Sequence, residues 1–175
     1  EIYVAIEYCK NNGFETQLTS NGLTLNSDKK IKDLIASGLD LITFSMESIN
    51  EVNEIGHPNQ SAVKNIKRLV ELKNELGSET PAITLQTLMI KDREEDIYEI
   101  IEWGALNGID RINVARFEKH NTLNDIERPN IQEEKVIFKK FKQYRKKYNI
   151  RIDCLQDMMY TGLNGILYKN FKRFL

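Results

Sequence analysis

Polar side chains recur late in several segments of this 175-residue sequence that otherwise have the pattern of apolar strands. Hydroxyl, amide and carboxylate groups can hydrogen-bond a ribose, an amino acid or a nucleoside, whereas they suit a hydrophobic ligand poorly. Burying each of them without a partner would cost about 1–3 kcal/mol, so they must face water or a polar ligand. The candidate ligand-binding residues are Thr19, Asn21, Ser45, Glu47, Gln86 and Asn113.

The cysteines and histidines give little basis for a metal site within this chain. The two cysteines, Cys9 and Cys154, lie far apart and form neither a disulfide framework nor a metal-binding motif by their spacing. The two histidines, His57 and His120, have no cysteine or acidic neighbour at a metal-binding spacing. We therefore expect no metal ligands among these residues.

Repeated helix, glycine and strand segments must position the polar residues. We predict helices over 1–11, 29–37, 61–76, 94–107 and 131–148, and strands over 14–20, 39–45, 82–90, 109–115 and 150–154. The repetition is visible in the residues themselves, because the segment from Gly38 to Phe44 matches the segment from Gly108 to Val114. Stacked βα units of this kind predict an α/β fold with a parallel sheet, either a barrel or a doubly wound sheet.

The predicted strands are polar on one face, although parallel strands covered by helices on both sides are usually apolar on both. In the second strand Thr43 and Ser45 alternate with Ile42 and Phe44. The polar residues come late in their strands, and parallel α/β folds bind ligands at the carboxyl ends of strands. We expect a concave face lined by a ligand, with a water-filled groove as the alternative.

Composition excludes several classes of protein. With 25 Lys+Arg and 26 Asp+Glu the net charge is −1, which provides no overall field for nucleic acid. The basic stretch 139–147 is interpreted as the end of a helix whose buried stripe is Val136, Ile137, Phe141, Tyr144 and Tyr148. No apolar run approaches the ~18–20 residues of a membrane span, and the first residues lack a signal pattern. These features predict a cytoplasmic protein with no membrane partner, and they disfavour nucleic acid.

Three segments in this order resemble a known family. The segments Thr19 to Gly22, Phe44 to Ser48 and Leu85 to Lys91 are similar to the third, fourth and fifth strands of radical S-adenosylmethionine (radical SAM) enzymes. The resemblance runs from Glu1 to about Phe117 and is closest to peptide-modifying members, including those of the SPASM type with extra clusters after the barrel. It implies a partial, six-stranded (βα) parallel barrel of the TIM-barrel kind.

The resemblance also implies roles for individual residues. Ser45 and Glu47 fall where the family holds the ribose and amino-acid portions of S-adenosylmethionine, with Glu47 in place of the more common aspartate. Gln86 falls on a fifth-strand position that often touches the cofactor. Thr19 and Asn21 fall near its methionine end, and Asn113 and Arg116 belong to the sixth strand, where the adenine packs.

The sequence departs from the family at its metal site. The family binds a 4Fe–4S cluster through a CxxxCxxC loop, and no such loop occurs in these residues. The sequence also begins at Glu1, inside a helical pattern and without methionine. We therefore interpret residues 1–154 as a partial barrel that lacks its first strands and residues 155–175 as a helical tail.

The function implied for the intact parent is reductive cleavage of S-adenosylmethionine, followed by hydrogen abstraction from a peptide or small-molecule substrate by a 5′-deoxyadenosyl radical. The parent would need S-adenosylmethionine and a 4Fe–4S cluster, and we expect this fragment alone to bind neither and to be inactive. Two alternatives remain: a metal-independent (βα)-barrel lyase or isomerase with Glu47 as base, and a non-catalytic binding or scaffold fragment. An exposed sheet edge at 15–20 further predicts a homodimer.

Overall fold

A single parallel sheet organises the chain in the computed structural model, which describes residues 1–49, 59–117 and 126–155. Strands and helices alternate, and the strands lie side by side in the order in which they occur in the chain. A doubly wound sheet reverses its strand order at a switch point, and no reversal occurs among the described strands. The partial (βα) barrel is confirmed. The elements are α1 Ile2–Asn11, β1 Gln17–Ser20, α2 Asp28–Ala36, β2 Leu41–Ser45, α3 Asn59–Glu75, β3 Ala82–Met89, α4 Glu94–Leu106, β4 Arg111–Arg116, α5 Ile131–Tyr148 and β5 Arg151–Asp153.

The strands are shorter than the sequence pattern predicts. β1 begins at Gln17 and not at residue 14, and the Phe14 side chain is exposed. β2 and β4 each begin two residues later than predicted, after an aspartate that stands directly before the strand. The helices follow their predictions within a few residues. Ser27 is the N-cap of α2, and Asn130 with Glu133 forms a capping box at the start of α5.

The hydrophobic core lies between one face of the sheet and the helices. Ile42 and Phe44 of β2, Ile83 and Leu85 of β3 and Ile112 of β4 alternate along their strands and are fully buried. Because successive side chains of a strand point to opposite faces, the residues between them form the other face of the sheet. That second face carries the polar residues, as the alternation predicts.

The buried stripe of α5 differs from the one predicted. Val136 is 67% exposed, whereas Ile137, Phe138 and Phe141 are buried together with the carboxylate of Glu134. Positions 134, 137, 138 and 141 share one side of a helix with 3.6 residues per turn, and position 136 does not. The prediction that Val136 is buried was therefore wrong, because Val136 lies outside the side of α5 that is buried.

Two aspartates fasten the amino ends of the strands. Asp40, before β2, accepts hydrogen bonds from the backbone N–H of Thr16 at 2.7 Å and from Lys10 Nζ at 2.6 Å. Asp110, before β4, accepts from the backbone N–H of Ile83 at 2.7 Å and contacts Lys73 Nζ at 3.5 Å. Asp40 therefore links the start of β2 to the start of β1 and to α1. Asp110 links the start of β4 to β3 and to α3. The two aspartates occupy the same position in the matching segments that begin at Gly38 and Gly108, and their hydrogen bonds between strands account for the repeated acid.

Among the described helices, none combines the length and the apolar character that crossing a membrane would require. The predicted tail, residues 155–175, lies outside the described residues except for Leu155.

Candidate functional site

Four polar residues form a row across the polar face of the sheet. Ser45 of β2 pairs with Gln86 of β3, Gln86 pairs with Asn113 of β4, and Asn113 pairs with Asp153 of β5. Residues in register on neighbouring strands point to the same face, so these side chains lie side by side. The structure therefore brings together three of the predicted residues, Ser45, Gln86 and Asn113, and adds Asp153.

The amides of Gln86 and Asn113 are joined directly. Asn113 Nδ2 donates a hydrogen bond to Gln86 Oε1 at 3.1 Å, which links the two side chains. Each amide has a second functional group, and among the described residues neither the Gln86 amide nitrogen nor the Asn113 carbonyl oxygen has a hydrogen-bond partner. The pair thus offers one donor and one acceptor beside the hydroxyl of Ser45. This combination suits a ligand that carries both hydroxyl and amine groups.

Glu47 lies two residues beyond the end of β2, where β2 and β3 separate. The last ladder contact between them is the bond from Met46 N–H to the Gln86 carbonyl oxygen at 2.8 Å. Beyond it, Glu47 Oε2 accepts a hydrogen bond from Leu88 N–H at 3.2 Å and replaces the missing strand partner. Burial raises the pKa of the Glu47 carboxyl, and the Leu88 hydrogen bond opposes that effect. A partly desolvated carboxylate at a carboxyl strand end can accept hydrogen bonds from ligand hydroxyls.

Thr19 and Asn21 lie at the β1 end of the site. Thr19 is in register with Thr43 and is therefore one step below Ser45 on the polar face. Asn21 follows β1 and is exposed, and its Oδ1 accepts a hydrogen bond from Leu23 N–H at 3.1 Å. The adjacent Gly22 has φ +78°, and a Cβ atom at this position would lie 3.4 Å from the Phe44 side chain and 3.5 Å from that of Ile66. Asn21 thus closes a turn, and only its amide nitrogen is left for a ligand.

Arg116 is separated from the other predicted residues. It pairs in register with Met89, whose side chain is buried in the core, so Arg116 points to the helix side of the sheet. There its Nε and Nη2 donate to the two carboxylate oxygens of Glu134 on α5, at 2.8 and 2.6 Å. The strand alternation explains the difference, because Asn113 and Arg116 are three residues apart and must face opposite ways.

The same alternation reveals polar-face residues that the sequence argument did not single out as ligand contacts. Counting back two positions from Asn113 gives Arg111, which is in register with Thr84 on one side and Arg151 on the other. Arg111 Nε lies 3.4 Å from Asp153 Oδ2, and Arg151 Nε lies 2.9 Å from the same oxygen. The period of two along β4 is a signal that could have identified Arg111 from the sequence.

The described residues contain no group of three histidine, cysteine, aspartate or glutamate side chains placed to hold a metal ion. Cys9 lies half-buried on α1, and Cys154 is fully buried directly after β5. Two cysteines on separate elements do not fit a 4Fe–4S cluster, which takes several thiolate ligands from one site. His57 and His120 lie outside the described residues.

A family model agrees with this architecture. The model of the Radical SAM superfamily matches residues 1–104, which is more than half of the chain. The chain therefore belongs to the radical SAM superfamily. The residues matched include Ser45 and Glu47 at the end of β2 and Gln86 within β3.

The chain spans about a third of the length of two proteins that are similar to it. The tungsten-containing aldehyde ferredoxin oxidoreductase cofactor-modifying protein of Pyrococcus furiosus is 29% identical over 110 residues, which are 61% of this chain and 31% of that protein. Streptococcus suis SuiB bound to S-adenosylmethionine has a similar fold, with a TM-score of 0.70, 15% identity, and coverage of 92% of this chain and 38% of SuiB. SuiB bound to its precursor peptide SuiA gives a TM-score of 0.66 at 15% identity, with coverage of 90% and 36%.

Proposed function

We propose that this chain is part of a longer radical SAM enzyme and that its polar face binds S-adenosylmethionine. The observation that carries this proposal is the row of Ser45, Gln86 and Asn113, in register on three strands of a chain that belongs to the family. Such a row presents hydroxyl and amide groups at fixed spacing, as recognition of a nucleoside with an attached amino acid requires. SuiB, which has the same fold, has been solved with S-adenosylmethionine bound.

Different residues would contact different parts of the cofactor. Ser45 and Glu47 would bind the ribose and the amino-acid portion, since a hydroxyl and a partly desolvated carboxylate stand two residues apart at the end of β2. Gln86 and Asn113 would bind beside them through the remaining donor and acceptor of their paired amides. Thr19 and the amide nitrogen of Asn21 would contact the methionine end. Arg116 contributes by holding the end of β4 against α5, because its guanidinium is engaged by Glu134.

The iron–sulfur cluster would be held by another part of the longer protein. Neither Cys9 nor Cys154 is placed to share a cluster site, and the chain spans only about a third of the length of its relatives. When bound, the cluster supplies the electron that cleaves S-adenosylmethionine in this family. The task left to this chain is to hold the cofactor and to separate the resulting radical from water. On its own the chain is expected to be inactive.

Calorimetric titration of S-adenosylmethionine into the anaerobically prepared full-length protein tests this proposal. Ser45→Ala should weaken binding by about 0.5–1.5 kcal/mol and Glu47→Ala by about 1.5–3 kcal/mol, because they remove a neutral and a charged hydrogen-bonding group. Ser61→Ala and Glu79→Ala change exposed residues of the same types and should leave affinity unchanged. Unchanged affinity in both site variants would refute the assignment. Turnover without iron, reductant or S-adenosylmethionine would instead support the lyase or isomerase alternative.

Self-association through β1 stays a prediction. Within the described residues β1 pairs with β2 alone, so its other edge offers unpaired backbone groups to a second strand. Light scattering of this chain over a range of concentrations should show a dimer at the high end, and a monomer throughout would contradict it.

A further inference from the structure

The amino-terminal half of the polar face carries an unbalanced cluster of charge. Arg111 and Arg151 stand side by side on β4 and β5, and the single carboxylate between them is that of Asp153. Arg151 Nε lies 2.9 Å from Asp153 Oδ2, a distance typical of a charge-assisted hydrogen bond. Arg111 Nε lies at 3.4 Å from the same oxygen, which is longer than such a bond. Asp153 is therefore shared by two cations and satisfies Arg151 better than Arg111.

The guanidinium of Arg111 is only lightly engaged. Its contact with Asp153 is the one ion pair that it makes within the described residues, and its side chain keeps 37% of its accessible surface. A guanidinium has five donors in a planar fork that matches the two oxygens of a carboxylate. Two arginines share the carboxylate of one aspartate, so these three side chains together carry an excess of one positive charge. An anion with a single charge would balance it.

Thr84 adds an independent observation at the same level. It is in register with Arg111 on the polar face, the residue is 4% exposed, and its hydroxyl has no hydrogen-bond partner in the part of the chain that the structure describes. Buried hydroxyl groups in native proteins nearly always have a partner, so an unsatisfied one in register with an arginine requires an explanation. The Thr84 hydroxyl can donate a hydrogen bond, and the Arg111 guanidinium can only donate. An oxygen atom that accepts hydrogen bonds would therefore suit both groups.

We propose that Arg111, supported by Thr84 and Arg151, binds a carboxylate of the substrate on the amino-terminal half of the polar face. This inference rests on the proposed function and names its substrate class, a peptide or amino-acid derivative with a free carboxylate. A phosphate would bring two negative charges close to Asp153, whereas one carboxylate equalises the charges of the cluster. Arg111 precedes Asn113 by two residues, or about 6–7 Å along the strand, so the substrate would lie directly below the cofactor row.

The test uses three ligands of nearly equal shape and NMR of the 175-residue chain with labelled arginine side chains. N-acetylglutamate amide has a side-chain carboxylate, N-acetylglutamine has a terminal carboxylate, and N-acetylglutamine amide has neither. We expect one of the two carboxylates to shift the Arg111 Nε–H signal saturably, and the neutral compound to leave it unchanged. The ligand that acts identifies which carboxylate the cluster recognises.

Matched variants locate the site. Arg111→Gln should weaken binding of the active carboxylate at least tenfold, Arg111→Lys should weaken it less, and Arg128→Gln, which alters an exposed arginine elsewhere, should have no effect. Equal shifts with the neutral compound, or no saturable shift with either carboxylate, would overturn the inference. The ligand comparison on the unaltered chain decides the question even if a variant does not fold.

A parallel titration with S-adenosylmethionine separates this inference from the proposed function. Shifts of the backbone amide signals of Ser45, Gln86 and Asn113 in uniformly labelled protein, without a carboxylate effect at Arg111, would support the cofactor site and refute the substrate site. A carboxylate effect at Arg111 with no response to S-adenosylmethionine, in this chain or in the full-length protein, would do the reverse. If S-adenosylmethionine itself saturates the Arg111 signal, the anion is the carboxylate of the cofactor and the inference is wrong.

Discussion

Arg116 and Glu134 form a two-pronged ion pair that fixes the end of β4 against the first turn of α5. The two hydrogen bonds measure 2.8 and 2.6 Å, and the side chain of Glu134 is 1% exposed. A carboxylate so deeply buried requires a partner, and the planar guanidinium satisfies both of its oxygens. The pair therefore orients the carboxyl end of β4, from which Asn113 faces the candidate site.

Glu134→Ala should lower the free energy of unfolding by about 3–5 kcal/mol, because it leaves a half-buried guanidinium without its bidentate partner. Replacing both residues, as in Arg116→Met with Glu134→Leu, should recover much of that loss. Urea denaturation measures both effects, with Lys142→Ala on the exposed side of α5 as control. A small loss in Glu134→Ala would show that the pair has no such role.

Asp40→Asn should destabilise the fold and flatten its response to acid. The hydrogen bond from Lys10, followed by that from the Thr16 backbone, lowers the pKa of the Asp40 carboxyl. Because the folded pKa lies below the unfolded value, the contribution of Asp40 is complete above the ordinary pKa near 3.9 and is lost as pH falls through the folded pKa. Urea midpoints between about pH 2 and 6 should therefore fall less steeply in the variant than in the unaltered chain.

Asp33→Asn is the matched control for Asp40. Its carboxylate forms an exposed pair with Lys29 within α2 and joins no strands, so its loss should hardly change the urea midpoint. Equal effects of the two substitutions would contradict the role assigned to Asp40.

Glu47→Gln should stabilise the fold at neutral pH while it weakens cofactor binding. Burial raises the pKa of Glu47, so the ionised form is disfavoured in the folded state and reduces stability above that raised pKa. The glutamine keeps an oxygen that can accept from Leu88 N–H. The gain should disappear as pH falls below the ordinary glutamate pKa near 4.3. Thermal unfolding at several pH values measures it, with the exposed Glu79→Gln as control; a variant less stable at pH 7 would contradict this account.

Gln86 and Asn113 should act as one unit in S-adenosylmethionine binding. Each alanine substitution should cost about 0.5–1.5 kcal/mol of affinity, and the double variant should cost less than the sum, because loss of either amide releases the other. Calorimetry on the full-length protein completes the double-mutant cycle, and Gln143→Ala on the exposed surface of α5 is the control. Strict additivity would mean that the observed amide contact has no part in binding.

Local sequence patterns predicted the fold because each βα unit repeats the same signals. Alternation of Ile42 and Phe44 with Thr43 and Ser45 determines which face is buried, and the register then aligns Ser45 with Gln86 without further information. The choice between a barrel and a doubly wound sheet could not be made in this way, because strand order depends on contacts between units that are distant in sequence.

The limits of prediction at the site have the same origin. Arg116 was assigned by its position in a family motif, but its direction follows from the alternation of β4 and its partner from α5. Glu47 was predicted as a ligand, yet its bond to Leu88 N–H depends on where β2 and β3 separate. These two contacts join residues 41 and 18 positions apart in the chain, and neither has a signature in one segment alone.

The hydrogen bonds of Asp40 and Asp110 lie at the amino ends of the strands and are separate from the candidate ligand-binding residues. Asp40 and Asp110 align the strands at their amino ends, whereas Ser45 and Glu47 lie at the carboxyl end of β2. Substitutions at the carboxyl ends can therefore change what the protein recognises without removing the bonds that align the strands.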